Sequence, residues 1–312
     1  MNPLYIINYL IFSVFLVLLL LEAGVAIMML LYYKEYKDRL RGYLMPIWEV
    51  DSTFAVFYLV NFEATYPKLL TFLGGMYIIP LFLAFLFFML RNAFLVYSEY
   101  IGKEHKRDLY TKIYGGSTLV VAFLVIAVLS SGVSGFGVNV SEGTGQIVSM
   151  LINPFDISVF LCSILISFFL AASYFKIPEA KTDSLVALPL AFILMISALF
   201  AFVPAMFSSM LGLIYLPIIS AALMLAAVAF QARNSPYAAH LGILWLFVSI
   251  NFFGIVEYPN FFGDVNITTY LTNAAAAVPT ELVTVAGGIL IAVSITYLVY
   301  LSYVKREGRG GY

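Results

Sequence analysis

Apolar runs of about 20 residues follow one another along nearly the whole chain, and each is long enough to cross a hydrocarbon layer of roughly 30 Å as a helix. Bounded by polar, proline or glycine punctuation, they predict nine spans: Tyr5–Tyr33, Trp48–Tyr66, Lys68–Tyr97, Lys112–Phe136, Pro154–Phe175, Ser184–Phe207, Met210–Gln231, Tyr237–Tyr258 and Thr280–Val304. The second is the weakest by hydropathy because it carries Glu49, Asp51 and Glu63. The junction between the sixth and seventh, Met206–Met210, is tight. No repeat of fixed period is visible. The count accommodates two four-helix bundles plus one peripheral helix, but hydropathy does not show where they divide.

Composition agrees with that pattern. Of 312 residues, 63% are hydrophobic and 11% charged, against about 25% charged in a soluble domain. The fold class expected is an all-α integral membrane protein, a single polytopic domain over residues 1–312. The first apolar run has no basic segment before it and no small-residue cleavage pattern, so it reads as a retained helix.

Charge then orients the chain. Lys34, Lys37, Arg39 and Arg41 follow the first span, and Arg91, Lys103, Lys106, Arg107 and Lys112 lie at or after the end of the third. Lys176 and Lys181 follow the fifth, Arg233 the seventh, and Lys305, Arg306 and Arg309 the ninth. With nine spans all of these fall on one side, and Lys68 alone falls on the other. The positive-inside rule therefore puts the N-terminus outside and the C-terminus in the cytoplasm. The outer loops, Val138–Asn153 and Pro259–Pro279, contain the sequons starting at Asn139 and Asn266. A net charge of −1 gives no reason to expect a nucleic-acid partner.

Cofactor chemistry is sparse. Haem iron takes axial ligands, most often His, and the only histidines are His105, in a charged loop, and His240, near a span end. Cys162 stands alone inside an apolar run, with no disulfide partner and no metal-site spacing. No haem ligand and no metal site is expected, and no phosphate loop or nucleophile motif is present.

Intramembrane acids remain. A carboxylate in hydrocarbon costs a few kcal/mol or more, so such residues usually face the bundle interior and often mark ion or proton routes. Glu22 lies eleven residues before Tyr33, too deep for a surface explanation. On a helix Glu49 and Glu63 are about 21 Å apart in rise and within roughly 40° of one face, while Asp51 projects about 200° away from Glu49. Glu49 and Asp51 can also be first-turn acids favoured by the helix dipole, and Glu63 can reach outer water. Asn153-Pro154-Phe155-Asp156 reads as a helix start, with Asn153 as N-cap and Pro154 at the first helical position. Pro279-Thr280-Glu281 has a similar look. Glu257 and Asp264 are expected to face outer water, and Arg91 to snorkel to the inner headgroups.

The second span also carries a resemblance. Pro46-Ile47-Trp48-Glu49-Val50-Asp51 resembles the Pro-x-Trp-acid-x-Asn signature opening the second helix in subunit II of the cytochrome bd quinol oxidases. The likeness continues through Ala64-Thr65-Tyr66-Pro67 to Phe87-Phe88-Met89-Leu90-Arg91, with the family's spacing from Trp48 to Pro67 and from Pro67 to Arg91. Leu151-Ile152-Asn153-Pro154-Phe155 resembles its Leu-Leu-Asn-Pro-Phe. Departures are Val60-Asn61 for a glycine pair, Glu22-Ala23-Gly24-Val25-Ala26 for a Gly-Phe-Asp-Met-Gly run, Glu for Asp at 49 and Asp for Asn at 51. Short loops fit a divergent, for instance archaeal, member.

The resemblance implies a plasma-membrane heterodimer whose subunit I carries haems b and d and oxidises quinol. This chain would be the haem-free accessory subunit II, with room for a structural quinone or lipid and for further small single-span subunits. Glu49 would stand near the cytoplasmic mouth of a proton route, Glu22 would be a second acid close by, and Asp51 and Glu63 rest on helical placement alone. Two other classes stay open: a quinone-binding membrane subunit of another respiratory reductase, and a proton-coupled secondary transporter. Transporters often break helices in matching halves, and the prolines at 80, 189, 204 and 217 form no evident matched pair.

Overall fold

The structure is a computed structural model that describes residues 2–101, 104–139, 142–262, 265–271, 278–291 and 293–294. Expectations for Asp264, the far end of the ninth span, residues 140–141 of the first sequon and the tail from 305 lie outside the described residues. So do the side chains of Pro46 and His105.

The first helix, α1, spans Pro3–Thr65 and starts on an Asn2 side-chain cap followed by Pro3. A straight helix of that length would reach about 95 Å. Instead Asn8 Nδ2 donates to Thr65 Oγ1 at 3.0 Å, so the chain doubles back. Tyr32 and Tyr36 leave helical φ/ψ, and they separate a proximal limb from a distal limb. The limbs run antiparallel: Asn61 Nδ2 donates to Asn8 Oδ1 at 2.6 Å, and the Phe12 and Tyr58 rings lie 5.1 Å apart. The charged stretch between the first two expected spans is thus helical rather than looped, in keeping with its Lys, Glu, Arg and Leu content.

Prolines punctuate the chain beyond α1. Tyr66, held out of the helical region by Pro67, ends the distal limb at φ −131°, ψ 56°. The helix α2 spans Pro67–Met76 and α3 spans Ile78–Val96, so the expected third span is broken at Tyr77. Pro80 explains the break: it cannot donate to the Met76 carbonyl and its ring crowds it. A π-helical turn, Tyr97–Ile101, comes next, and α4 spans Glu104–Ser134. A short strand pair, Val138–Asn139 with Thr144–Gly145, and α5, Ile147–Leu151, fill the next loop.

The second half repeats this plan. The helix α6 spans Pro154–Phe175, α7 Lys181–Phe202, α8 Pro204–Gly212, α9 Tyr215–Ala232 and α10 Tyr237–Glu257. Val203 before Pro204 adopts φ −132°, ψ 60°, nearly the angles of Tyr66. Thirteen residues separate Pro67 from Pro80 and again Pro204 from Pro217. The matched pair of broken helices, not evident from sequence, is therefore present. The first of these breaks lies level with the first turns of α1, where Thr65 meets Asn8. A second strand pair, Asn260–Phe262 with Val265–Asn266, precedes the last described helix, α11, Val278–Ile291.

The helix α4 packs against both α1 and α3 in a first unit, and in a second α6 packs with α7 and α10, with α9 against α10 and α7; α1 against α6, α4 against α6 and α1 against α10 join the two. Seven described helices are long and apolar enough to cross a membrane. The distal limb, with its three acids, and the shorter apolar helix α11 lie where the second and ninth spans are expected. The α1–α6 contact depends on Gly24, where a Cβ would collide with the Ser167 carbonyl oxygen and lie 2.9 Å from Ala171 Cβ. Gly24→Ala is expected to cost about 1–3 kcal/mol through overpacking, read as a lower thermal midpoint of the detergent-solubilised protein.

A buried polar ladder ties α11 to both limbs. Thr284 donates to Asn61 Oδ1, Asn61 to Asn8, and Asn8 to Thr65. Gly287 of α11 lies over the Phe57 ring, where a Cβ would come within 3.1 Å. Asn61→Leu takes the donor from Asn8 Oδ1 and the acceptor from the Thr284 hydroxyl, a loss of about 1–3 kcal/mol. Faster limited proteolysis after residue 262 is the expected readout.

Candidate functional site

Three ionisable side chains from three places meet inside the first unit. Glu22 comes from the proximal limb, Asp51 from the distal limb and Arg91 from α3, and each is at most 1% exposed. Arg91 Nη1 donates to Glu22 Oε2 at 2.5 Å and to Asp51 Oδ2 at 3.2 Å, while Nη2 reaches Asp51 Oδ2 at 3.3 Å and Ser52 Oγ at 3.4 Å. Arg91 Nε reaches Asn92 Oδ1 at 3.3 Å, and Trp48 Nε1 donates to the same oxygen at 2.7 Å. The Tyr114 hydroxyl, from α4, donates to Glu22 Oε1. The Phe88 ring centroid lies 4.4 Å from Arg91 Cζ.

The antiparallel limbs are what place the acids together. Residues pairing across them move down one limb as they move up the other, so Asn8 meets Asn61, Phe12 meets Tyr58, and Glu22 comes level with Asp51. Two carboxylates and one guanidinium leave one negative charge in excess if all ionise. In a dry interior such an excess is neutralised by proton uptake. The site therefore sets one fixed cation between two acids that compete for it.

An apolar cavity of about 350 Å³ adjoins this cluster, with Asp51 and Arg91 at one end and Phe15, Leu59, Phe85 and Val125 among its walls. Asp51 Oδ1 is buried and has no hydrogen-bond partner.

The expected site residues separate into two groups. Glu22 and Asp51 are brought together, and Asp51 points away from Glu49 as the helical angle requires. Glu49 and Glu63 are both exposed on the outside of the distal limb. Arg91 does not snorkel to a headgroup layer. It is fully buried, because two carboxylates draw it inward. Trp48 is half-buried and holds Asn92, and Pro67 opens α2. Asn153 caps α6, its Oδ1 accepting from the Asp156 N–H at 2.9 Å with Pro154 at the first position. Glu257 is half-buried at the end of a separate cavity of about 190 Å³ rather than fully in outer water. At the end of the bundle carrying most basic residues, the Tyr36 hydroxyl donates to Glu179 at 2.6 Å and holds that exposed carboxyl below its ordinary range.

Tyr114 and Ser52 were missed by sequence reasoning. Nothing distinguishes Tyr114 among 22 tyrosines. The adjacent polar pair Arg91-Asn92 inside an apolar run was the available signal for a buried site.

The family model described as cytochrome bd terminal oxidase subunit II matches residues 3–305. The chain belongs to that family. A search of curated proteins finds no match. Among solved structures the chain is similar to one from the bd oxidase of Geobacillus thermodenitrificans, at 20% identity and a TM-score of 0.78, covering 96% of this chain and 98% of that one. That likeness shares the fold. As a subunit II of this family the chain is a multi-pass membrane protein of a terminal oxidase, and the resemblance carried by Trp48, Pro67 and Arg91 is borne out. The transporter and reductase alternatives give way to it.

His240 is exposed, with Nδ1 against the Pro236 carbonyl at 3.1 Å, and does not fit as an axial ligand inside the bundle. No group of three His, Cys, Asp or Glu able to hold a metal occurs among the described residues.

Proposed function

We propose that this subunit carries no haem, that it joins a haem-bearing subunit I in a quinol:oxygen oxidoreductase of the plasma membrane, and that Glu22, Asp51 and Arg91 form a relay on the cytoplasmic proton-uptake route to that partner. Haems b and d and the quinol site would belong to subunit I, and small single-span subunits could complete the complex. Glu49, exposed two residues before Asp51, would take protons from the cytoplasmic side and hand them to the buried acids. Glu63, on the same exposed stripe, would sit toward the opposite end. The apolar cavity beside Asp51 offers room for the chain of a structural quinone or lipid.

One observation carries the relay reading. The second unit has the same broken-helix plan without the charges. Asp51 lies sixteen residues before Pro67, and Leu188 lies sixteen before Pro204. Arg91 lies eleven after Pro80, and Val228 eleven after Pro217. Leu188 is fully buried and Val228 packs against the same core. The plan is thus built once with an ion cluster and once with hydrocarbon, so the cluster is not something the fold requires. Buried ion pairs are often replaceable by apolar residues without loss of stability, so the presence of one here supports a functional use.

The experiment is a reduced-minus-oxidised absorbance spectrum of the complex purified in mild detergent, repeated on this subunit after separation. Haem signals in the complex that leave entirely with the partner are expected. Haem remaining on this chain, or purification of this chain with no haem-bearing companion, would overturn the assignment.

A further inference from the structure

We infer that Tyr114 decides which buried acid holds the site's proton, and that it puts that proton on Asp51 Oδ1. The inference rests on the relay reading and deepens it by naming the atom.

Hydrogen-bond donors are shared unequally among the four carboxyl oxygens. Glu22 accepts on both of its oxygens, from Tyr114 at Oε1 and from Arg91 at Oε2. Asp51 accepts from both Arg91 nitrogens on Oδ2 and from nothing on Oδ1. Donors to a carboxylate favour its ionised form, and an oxygen without one favours protonation. Around the pair, the proximal limb contributes Glu22, the distal limb Asp51 and Ser52, α3 Arg91, and α4 Tyr114. Arg91 serves both acids, so it does not choose between them. Tyr114 serves only Glu22. Without its hydroxyl each acid would have one oxygen facing the guanidinium and one bare, and only their bonds to Arg91, one at 2.5 Å to Glu22 and two at 3.2 and 3.3 Å to Asp51, would tell them apart.

The asymmetry has a direction. Asp51 lines the 350 Å³ cavity, whereas Glu22 and Tyr114 do not. A proton on Asp51 is therefore held by the acid that borders the cavity, and Glu22 stays behind to keep Arg91 paired when Asp51 gives the proton up. Tyr114 is a positioning residue in this scheme. It neither gains nor loses a proton during turnover. The family signature has Asn where this chain has Asp51, so the second acid and the need to choose are features of this sequence.

The test uses the assembled complex. Infrared difference spectra follow the protonated-carboxyl stretch in protein carrying carboxyl-¹³C aspartate or carboxyl-¹³C glutamate. In the wild type the band should shift with the aspartate label, not with the glutamate label, and should be absent in Asp51→Asn. In Tyr114→Phe part of it should follow the glutamate label. The oxygen-consumption pH profile of Tyr114→Phe should differ from that of the wild type, since the donor that distinguishes the two acids is gone. A wild-type band that follows glutamate, or a Tyr114→Phe complex matching the wild type in both band and pH profile, would overturn the inference. Should Tyr114→Phe fail to assemble, the label assignment in wild type and Asp51→Asn still decides it. Unimpaired turnover in both Asp51→Asn and Glu22→Gln would instead remove the relay reading and leave the location of the proton as a separate result.

Discussion

Arg91→Leu should prevent recovery of the assembled, haem-loaded complex, and adding Glu22→Gln and Asp51→Asn to it should restore recovery. Removing the guanidinium leaves two carboxyls facing each other in a membrane interior. Breaking a buried ion pair on one side costs about 3–5 kcal/mol, a large fraction of the stability of most proteins. The triple variant has no charge left to solvate and approaches what the second unit already does with Leu188 and Val228. Size-exclusion profiles in mild detergent, read at the haem absorbance, check both halves. A single variant that assembles normally would mean that the acids are neutral or hydrated without Arg91.

Glu22→Gln should give the second large effect, on turnover rather than assembly. The amide leaves Arg91 paired with Asp51 alone, a neutral pair with no spare proton to pass on. Asp51→Asn does the same from the other side. If protons reach the partner through this cluster, oxygen consumption at saturating quinol should fall by about 10²-fold, the range usual for loss of a positioned acid or base, at unchanged haem content. Glu49→Gln should be milder, because that exposed carboxyl can be bypassed by water at the membrane rim.

Much of this was legible in the sequence, and the remainder was hidden for physical reasons. Span positions followed from hydropathy, and the separate facing of Glu49 and Asp51 followed from helical angle alone. The first two spans were recognised, but not that the chain between them stays helical, since charged residues read equally as loop or as helix surface. Proline positions were visible, yet their thirteen-residue match became meaningful only once Tyr66 and Val203 were seen to end helices in one conformation. Arg91 was misread because hydropathy places a residue along a helix but not on a face. At the end of an apolar run, snorkelling and burial look alike until the acids opposite are known. Tyr114 was beyond reach, because its role depends on α4 lying beside the proximal limb, a contact that no local pattern records.

The ion cluster that the second unit lacks, the two exposed acids on the distal limb and the family assignment support one proposal: that protons for oxygen reduction in the partner enter through this chain. Proton uptake tests it most directly. With the complex in vesicles, a pH indicator on the cytoplasmic-equivalent side would follow uptake after a pulse of oxygen to the quinol-reduced enzyme, in wild type and in Glu22→Gln matched for haem content. The account predicts that the variant's haems are reduced by quinol at the normal rate while its proton uptake is slowed about as much as its turnover. Uptake at the wild-type rate in Glu22→Gln would contradict it.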